Sequence, residues 1–154
     1  MSAGTSEPDL PNVVVPAKAI IDTGAILALL DRDDRWHQAC REVFESFRLP
    51  LATSAAVLAE LFHLVGDRPH ETGVAWSFLR SGAVTVLPID DTDLPSLEAL
   101  MKKYGDLPMD FADATLVHLA RRESLTTIFT VDYHDFETYR IEGRRGFRIL
   151  PSRR

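Results

Sequence analysis

The sequence predicts an α/β sandwich built around a mostly parallel sheet. Short apolar runs alternate with longer segments of helical period, which is the pattern of strand–helix–strand units. The first run, Ala19-Ile20-Ile21, is apolar without alternation, as a strand covered on both faces is. The chain has 154 residues, one ordinary domain, and it contains no repeat, low-complexity block or linker.

Taken in order, residues 1–18 read as a flexible N-terminal arm with three prolines and no period. Ala19-Ile20-Ile21 is a strand that ends at Asp22-Thr23-Gly24, and Ala25 to Leu30 follow as a helix that Asp22 or Thr23 is placed to cap. Trp36, Ala39, Cys40, Val43, Phe44 and Phe47 space out a second helix. Leu51-Ala52-Thr53 reads as a short strand, and Ser54 as the cap of a helix running to about Val65 with Val57, Leu61 and Leu64 inward. A helix over Glu71 to Leu79, a strand over Ala83 to Ile89 and a helix over Asp93 to Tyr104 come next, the last with Leu94, Leu97 and Met101 inward. Gly105 to Pro108 form a turn into a helix that ends near Ser124. Thr127 to Val131 is a strand closed by Asp132, and Gly146 to Leu150 a last strand. The domain so defined spans 19–151, leaving 152–154 as a basic end.

Composition narrows the function. No apolar run approaches the roughly 20 residues needed to cross a bilayer, and no signal sequence opens the chain, so a soluble cytoplasmic protein without a membrane partner is expected. The single cysteine, Cys40, reads as packing and fits a reducing compartment. The net charge of −6 argues against a general nucleic-acid binder. From Arg140 onward, however, six arginines face one glutamate, a tail that either contacts phosphate or stays solvated.

Four acids stand out. Asp113 lies on the apolar stripe of its helix with Leu116, Val117 and Ala120, and no Lys or Arg is in helical reach. Glu60 has the same anomaly beside Val57 and Leu64. Asp22 and Asp132 close strands and so emerge at the carboxyl edge of the sheet, where ligands gather. Carboxylates brought together raise each other's pKa, by repulsion of about 4 kcal/mol at 4 Å even at an effective dielectric near 20. A divalent cation resolves that conflict, and oxygen-only donors suit Mg²⁺ or Mn²⁺. Such ions serve phosphodiester hydrolysis: they polarise a phosphoryl oxygen, and two of them about 3.5–4 Å apart stabilise both attack and departure. The expected direct ligands are Asp22 and Asp113. Glu60 completes the shell or positions water, Asp132 holds a second ion or water, and Thr23 and Thr130 flank the acids to orient them.

Four motifs occur in order: Ile20-Ile21-Asp22-Thr23-Gly24-Ala25, Ala59-Glu60-Leu61, Ala112-Asp113-Ala114, and Thr130-Val131-Asp132 with Asp135-Phe136. This set resembles the PIN-domain nucleases, most closely the VapC-type toxins of bacterial toxin–antitoxin pairs. The resemblance implies a three-layer α/β/α fold, an Mg²⁺- or Mn²⁺-dependent endoribonuclease acting on RNA, a homodimer, and inhibition by a small antitoxin protein. Two positions depart from the family pattern. Gly24 stands where serine is common, and Asp110 stands where many relatives are neutral; the latter reads first as a charge favoured at a helix N-terminus and otherwise as a fifth, supporting acid at the rim.

The alternative is a catalytically idle PIN-like module that binds RNA or protein. Aspartyl-phosphate chemistry is disfavoured because Gly24, not a second Asp, stands two residues after Asp22, and no Gly-rich phosphate loop occurs. The histidines lack paired ligand spacing and read as surface or packing, with His134 nearest the expected rim. Trp36 and Trp76 read as core or dimer contacts.

Overall fold

A computed structural model describes residues 17–107 and 109–153. The arm expected over 1–18 therefore falls mostly outside the described residues, as do Pro108 of the predicted turn and Arg154 of the basic end. Ala17, at the arm's junction, already packs against the core.

Among the described residues five strands form one sheet: β1 (Ile20–Ile21), β2 (Leu51–Thr53), β3 (Val84–Val86), β4 (Thr127–Phe129) and β5 (Arg148–Leu150). Their order is β3-β2-β1-β4-β5 and every pairing is parallel, with Ile20 opposite both Ala52 and Ile128. Consecutive residues of a strand point to opposite faces, and Ile20, Ile21, Leu51, Ala52, Ile128 and Phe129 are all fully buried. Both faces of the sheet are thus covered, which makes three layers.

Among the described residues seven helices provide the covering: α1 (Thr23–Leu30), α2 (His37–Ser46), α3 (Ala55–Val65), α4 (Pro69–Arg80), α5 (Leu94–Lys103), α6 (Phe111–Arg122) and α7 (Tyr133–Thr138). All but α7 begin close to where the sequence places them. Caps explain several starts: the Asp22, Ser54, Asp110 and Asp132 side chains accept from backbone amides in the first turns of α1, α3, α6 and α7. The strands are shorter than expected, β3 reaching only Val86 and β4 only Phe129. Helix α7 has no counterpart among the elements expected from the sequence.

The inward faces need correction in two helices. On α3 the buried stripe is Val57, Leu61 and Val65, every fourth residue, and Leu64 is 52% exposed. On α5 it is Leu97 and Leu100, continuing to Tyr104, while Leu94 and Met101 lie outward. Cys40 is buried in the core, and burial pushes its thiol up to about 12, so it is an inert packing residue.

Candidate active site

The chain leaves β1 toward β2 and β3 on one side, then returns to build β4 and β5 on the other. The carboxyl ends of β1 and β4 flank that switch point, where a crevice opens in sheets of this kind. The Asp22 amide still pairs with the Phe129 carbonyl at 3.2 Å, so Asp22 and Thr130 leave the sheet side by side.

A cleft of about 220 Å³ lies there, lined by Asp22, Glu60, Asp110, Asp113, Asp132 and Asp135, with walls from Thr23, Gly24, Val57, Leu64, Ala112 and Leu116. The four acids singled out in the sequence all reach it, Glu60 from α3 and Asp113 from α6. Two more join them. Asp110 is the N-cap of α6, its Oδ1 accepting from the Asp113 amide at 2.8 Å, as a charge favoured at a helix start would. Asp135 was not among the expected site acids. One oxygen each from Asp113, Asp132 and Asp135 lies within 4.8 Å of the others. The signal for it was the three-residue step from Asp132, since the Asp135 amide donates to Asp132 Oδ1 at 3.2 Å in the first turn of α7.

The acids are held in place by hydrogen bonds. Asp22 Oδ1 accepts from the Ala25 amide at 3.1 Å, and Oδ2 accepts from the Thr130 hydroxyl. Thr130 Oγ1 also accepts from the Asp132 amide at 2.9 Å, so one threonine ties two site acids together. Thr23 plays no part in this: its hydroxyl turns to the Val57 carbonyl at 3.4 Å and joins α1 to α3. Asp113 Oδ2 accepts from the buried Tyr139 hydroxyl at 2.9 Å, a contact across 26 residues that no local pattern signals. His134 is a surface residue whose Nδ1 lies 3.2 Å from Asp135 Oδ1, and it does not line the cleft.

The electrostatics follow from this crowding. Burial, with smaller contributions from Asp132 and Glu60, raises Asp22 to about 7 despite the Thr130 and Ala25 hydrogen bonds. Burial and then the Asp110 charge raise Asp113 to about 8, against the Tyr139 hydrogen bond. Asp132 is also pushed up, first by burial, with the charge of Asp135 adding to it. Without a cation the site therefore holds protons near neutral pH. Among the described residues no imidazole or thiol lines the cleft, so its donors are all oxygens. That set fits a hard divalent cation, which replaces the protons and removes the repulsion.

Among the described residues, three arginines of the tail engage the protein itself or lie away from the cleft. The Arg140 guanidinium donates to the Glu137, Thr138 and Tyr139 carbonyls. Arg148 pairs opposite Thr127 at the amino ends of the strands, away from the cleft. Arg153 pairs with Glu137 at 3.4 Å and lies 4.8 Å over the Tyr133 ring.

An all-parallel sheet whose switch point gathers six carboxylates defines an α/β protein suited to hold a hard cation over its carboxyl edge. Comparison then places it. The family model described as PIN domain matches residues 19–141, and the chain belongs to that family. It is 32% identical to Ribonuclease VapC26 of Mycobacterium tuberculosis over 142 residues, which cover 86% of this chain and 99% of that protein. The fold matches a crystal structure of Mycobacterium tuberculosis VapC20, a Sarcin-Ricin loop cleaving toxin, with a TM-score of 0.66, at 19% identity over 75% of this chain and 91% of that one. It also matches VapBC2 from Rickettsia felis, bound to a DNA fragment from its promoter, with a TM-score of 0.62, at 14% identity over 85% of this chain and 96% of that one.

Proposed function

We propose that this protein is a divalent-cation-dependent endoribonuclease, with Mg²⁺ or Mn²⁺ as its ion, and the toxin of a toxin–antitoxin pair. The observation that carries the reading is the gathering of Asp22, Glu60, Asp113 and Asp132 in one cleft, in a chain similar over nearly its whole length to a VapC ribonuclease.

Asp22 and Asp113 are the proposed direct ligands. When bound, the cation supplies Lewis acidity toward a phosphodiester. Around it the chain's own residues set the geometry. Thr130 locks Asp22 and Asp132 in register, and Glu60, on the α3 wall, orients water. Asp132 and Asp135 each bring an oxygen within 4.8 Å of one from Asp113. The starts of α1 and α6 are both capped by acids of the cleft, Asp22 and Asp110, so their partial positive ends hold these carboxylates in place.

The cleft's rim carries exposed Leu64, a contact suited to a small protein that covers the site, such as an antitoxin. Homodimerisation is assigned to the apolar groove of about 480 Å³ between α5 and α6, where Leu94, Met101 and Phe111 are exposed beside Leu97. A cytoplasmic location agrees with these partners, and among the described residues no helix is long and apolar enough to cross a membrane.

The test is cleavage of RNA by purified protein in Mg²⁺ or Mn²⁺, with sedimentation giving twice the 17.2 kDa chain mass. Chelation abolishes cleavage, and Asp22→Asn and Asp113→Asn each lower kcat by about 100-fold or more, the scale of losing a preorganised electrostatic group. Full activity in both variants would contradict the assignment. Cation binding with neither RNA cleavage nor growth arrest on expression would favour the idle module.

A further inference from the structure

We infer that Tyr139 is a positioning residue, whose hydroxyl selects the oxygen of Asp113 that the cleft presents to a cation. The inference rests on the proposed metal site and adds a residue to it from outside the acids that line the cleft.

Asp113 is the third residue of α6, counting from the Asp110 cap. An acid at that place ordinarily reaches back to the amide of the cap residue, closing a capping box. Asp90 and Asp93 do this elsewhere in the chain, the Asp90 amide donating to Asp93 Oδ2 at 2.9 Å. The Asp113 carboxyl makes no such bond among the described residues. Its Oδ2 takes the Tyr139 hydroxyl at 2.9 Å, and its Oδ1 has no hydrogen-bond partner there. The hydroxyl thus engages one oxygen of the carboxyl and leaves Oδ1 for the cleft that Asp113 lines.

The hydroxyl is itself immobilised. Tyr139 is fully buried. Its ring is held edge-on by Tyr104 at 5.1 Å and by Phe136 at 5.3 Å. The Tyr104 hydroxyl accepts from the Arg140 amide at 2.8 Å, and the Arg140 guanidinium donates back to the Tyr139 carbonyl at 3.0 Å. Ring and backbone of Tyr139 are therefore both pinned, and the aim of the hydroxyl is fixed by packing rather than by Asp113. A buried tyrosine needs a partner for its O–H, and a purely structural tyrosine would satisfy that need with no effect on a bound ion. The two roles separate in a metal titration.

The experiment compares full-length wild type and Tyr139→Phe, titrating MnCl₂ calorimetrically and measuring melting temperature in chelator. Partners that orient metal ligands typically change affinity by 10–100-fold, so the Mn²⁺ dissociation constant is expected to rise at least about 10-fold. At saturating Mn²⁺ the variant recovers kcat toward wild type, with KM for RNA unchanged. Tyr104→Phe keeps the Tyr139 hydroxyl and loosens its brace, and it weakens Mn²⁺ binding in the same direction and by less. It serves as the deciding variant where Tyr139→Phe does not fold. Affinities within about twofold of wild type, the scatter expected of an uncoupled change, overturn the inference. A wild type that takes up no Mn²⁺ overturns the metal reading as well, so the two failures are told apart by the wild-type titration alone.

Discussion

Gly24 shows how closely the site is packed around a single residue. A Cβ built there would lie 2.9 Å from Val131 Cγ2 and 3.7 Å from Asp22 Oδ1. A serine at this place has no room unless Val131 moves, and a β-branched side chain has few other rotamers. Two effects oppose each other in Gly24→Ala. Helix propensity gains about 1 kcal/mol, and overpacking costs about 1–3 kcal/mol. We expect a net loss of about 1 kcal/mol in a urea melt, and a gain when Gly24→Ala is made in a Val131→Ala background and compared with Val131→Ala alone. A loss from Gly24→Ala that persists in that background would show that Val131 is not the obstacle. The acids were legible at this scale for a related reason. Asp113 and Glu60 stand on partly apolar helix faces without a cation in reach, and that is visible in the sequence. Tyr139 was not, because a partner 26 residues from Asp113 leaves no periodic trace. Nor was the turn of Thr23 to Val57, since a threonine beside an acid has several equally near acceptors.

Among the helices and strands, most of the fold was legible. Helix starts are written in caps, and Asp22, Asp110 and Asp132 are both caps and residues of the cleft. Reading an acid as a cap or as a site residue was a false choice here. The amides that hold each carboxylate in place occupy only one of its lone pairs, leaving others for the cleft. Helix faces were less legible. Leu64, Leu94 and Met101 fit an apolar stripe of three- and four-residue steps as well as the true stripes do, because helices against a sheet admit more than one such stripe. Their exposure marks the rim of the cleft and the groove between α5 and α6. Helix α7 spans six residues, too short to show a helical period, and Asp135 was missed with it.

For the molecule entire, strand order decides the function. Splitting the sheet at β1 and β4 brings Asp22 and Asp132 together, and α3 and α6 carry Glu60 and Asp113 over the same edge. Topology of this kind is not written in any local pattern: the family resemblance implied three layers, and the strand order comes from the structure. The crowding has a pH consequence. Asp22 and Asp113 ionise near 3.8 when unfolded and near 7 and 8 in the cation-free fold. Between those values the fold binds more protons than the unfolded chain, so its stability falls as pH rises from about 4 to about 8. A cation replaces those protons and binds more tightly at high pH. At 100 times its dissociation constant it adds about 2.7 kcal/mol, or roughly 5–10 °C in Tm at pH 8. Thermal melts across pH with and without Mn²⁺ check this, and a cation-free Tm that climbs from pH 5 to pH 8 would contradict it.

The most direct measurement is a diffraction experiment on crystals grown with MnCl₂ and recorded at the manganese absorption edge. An anomalous peak is expected in the cleft, bonded to oxygens of Asp22 and Asp113. A peak elsewhere on the molecule, with the cleft empty at millimolar Mn²⁺ and pH 8, would refute the cation site and the chemistry that depends on it.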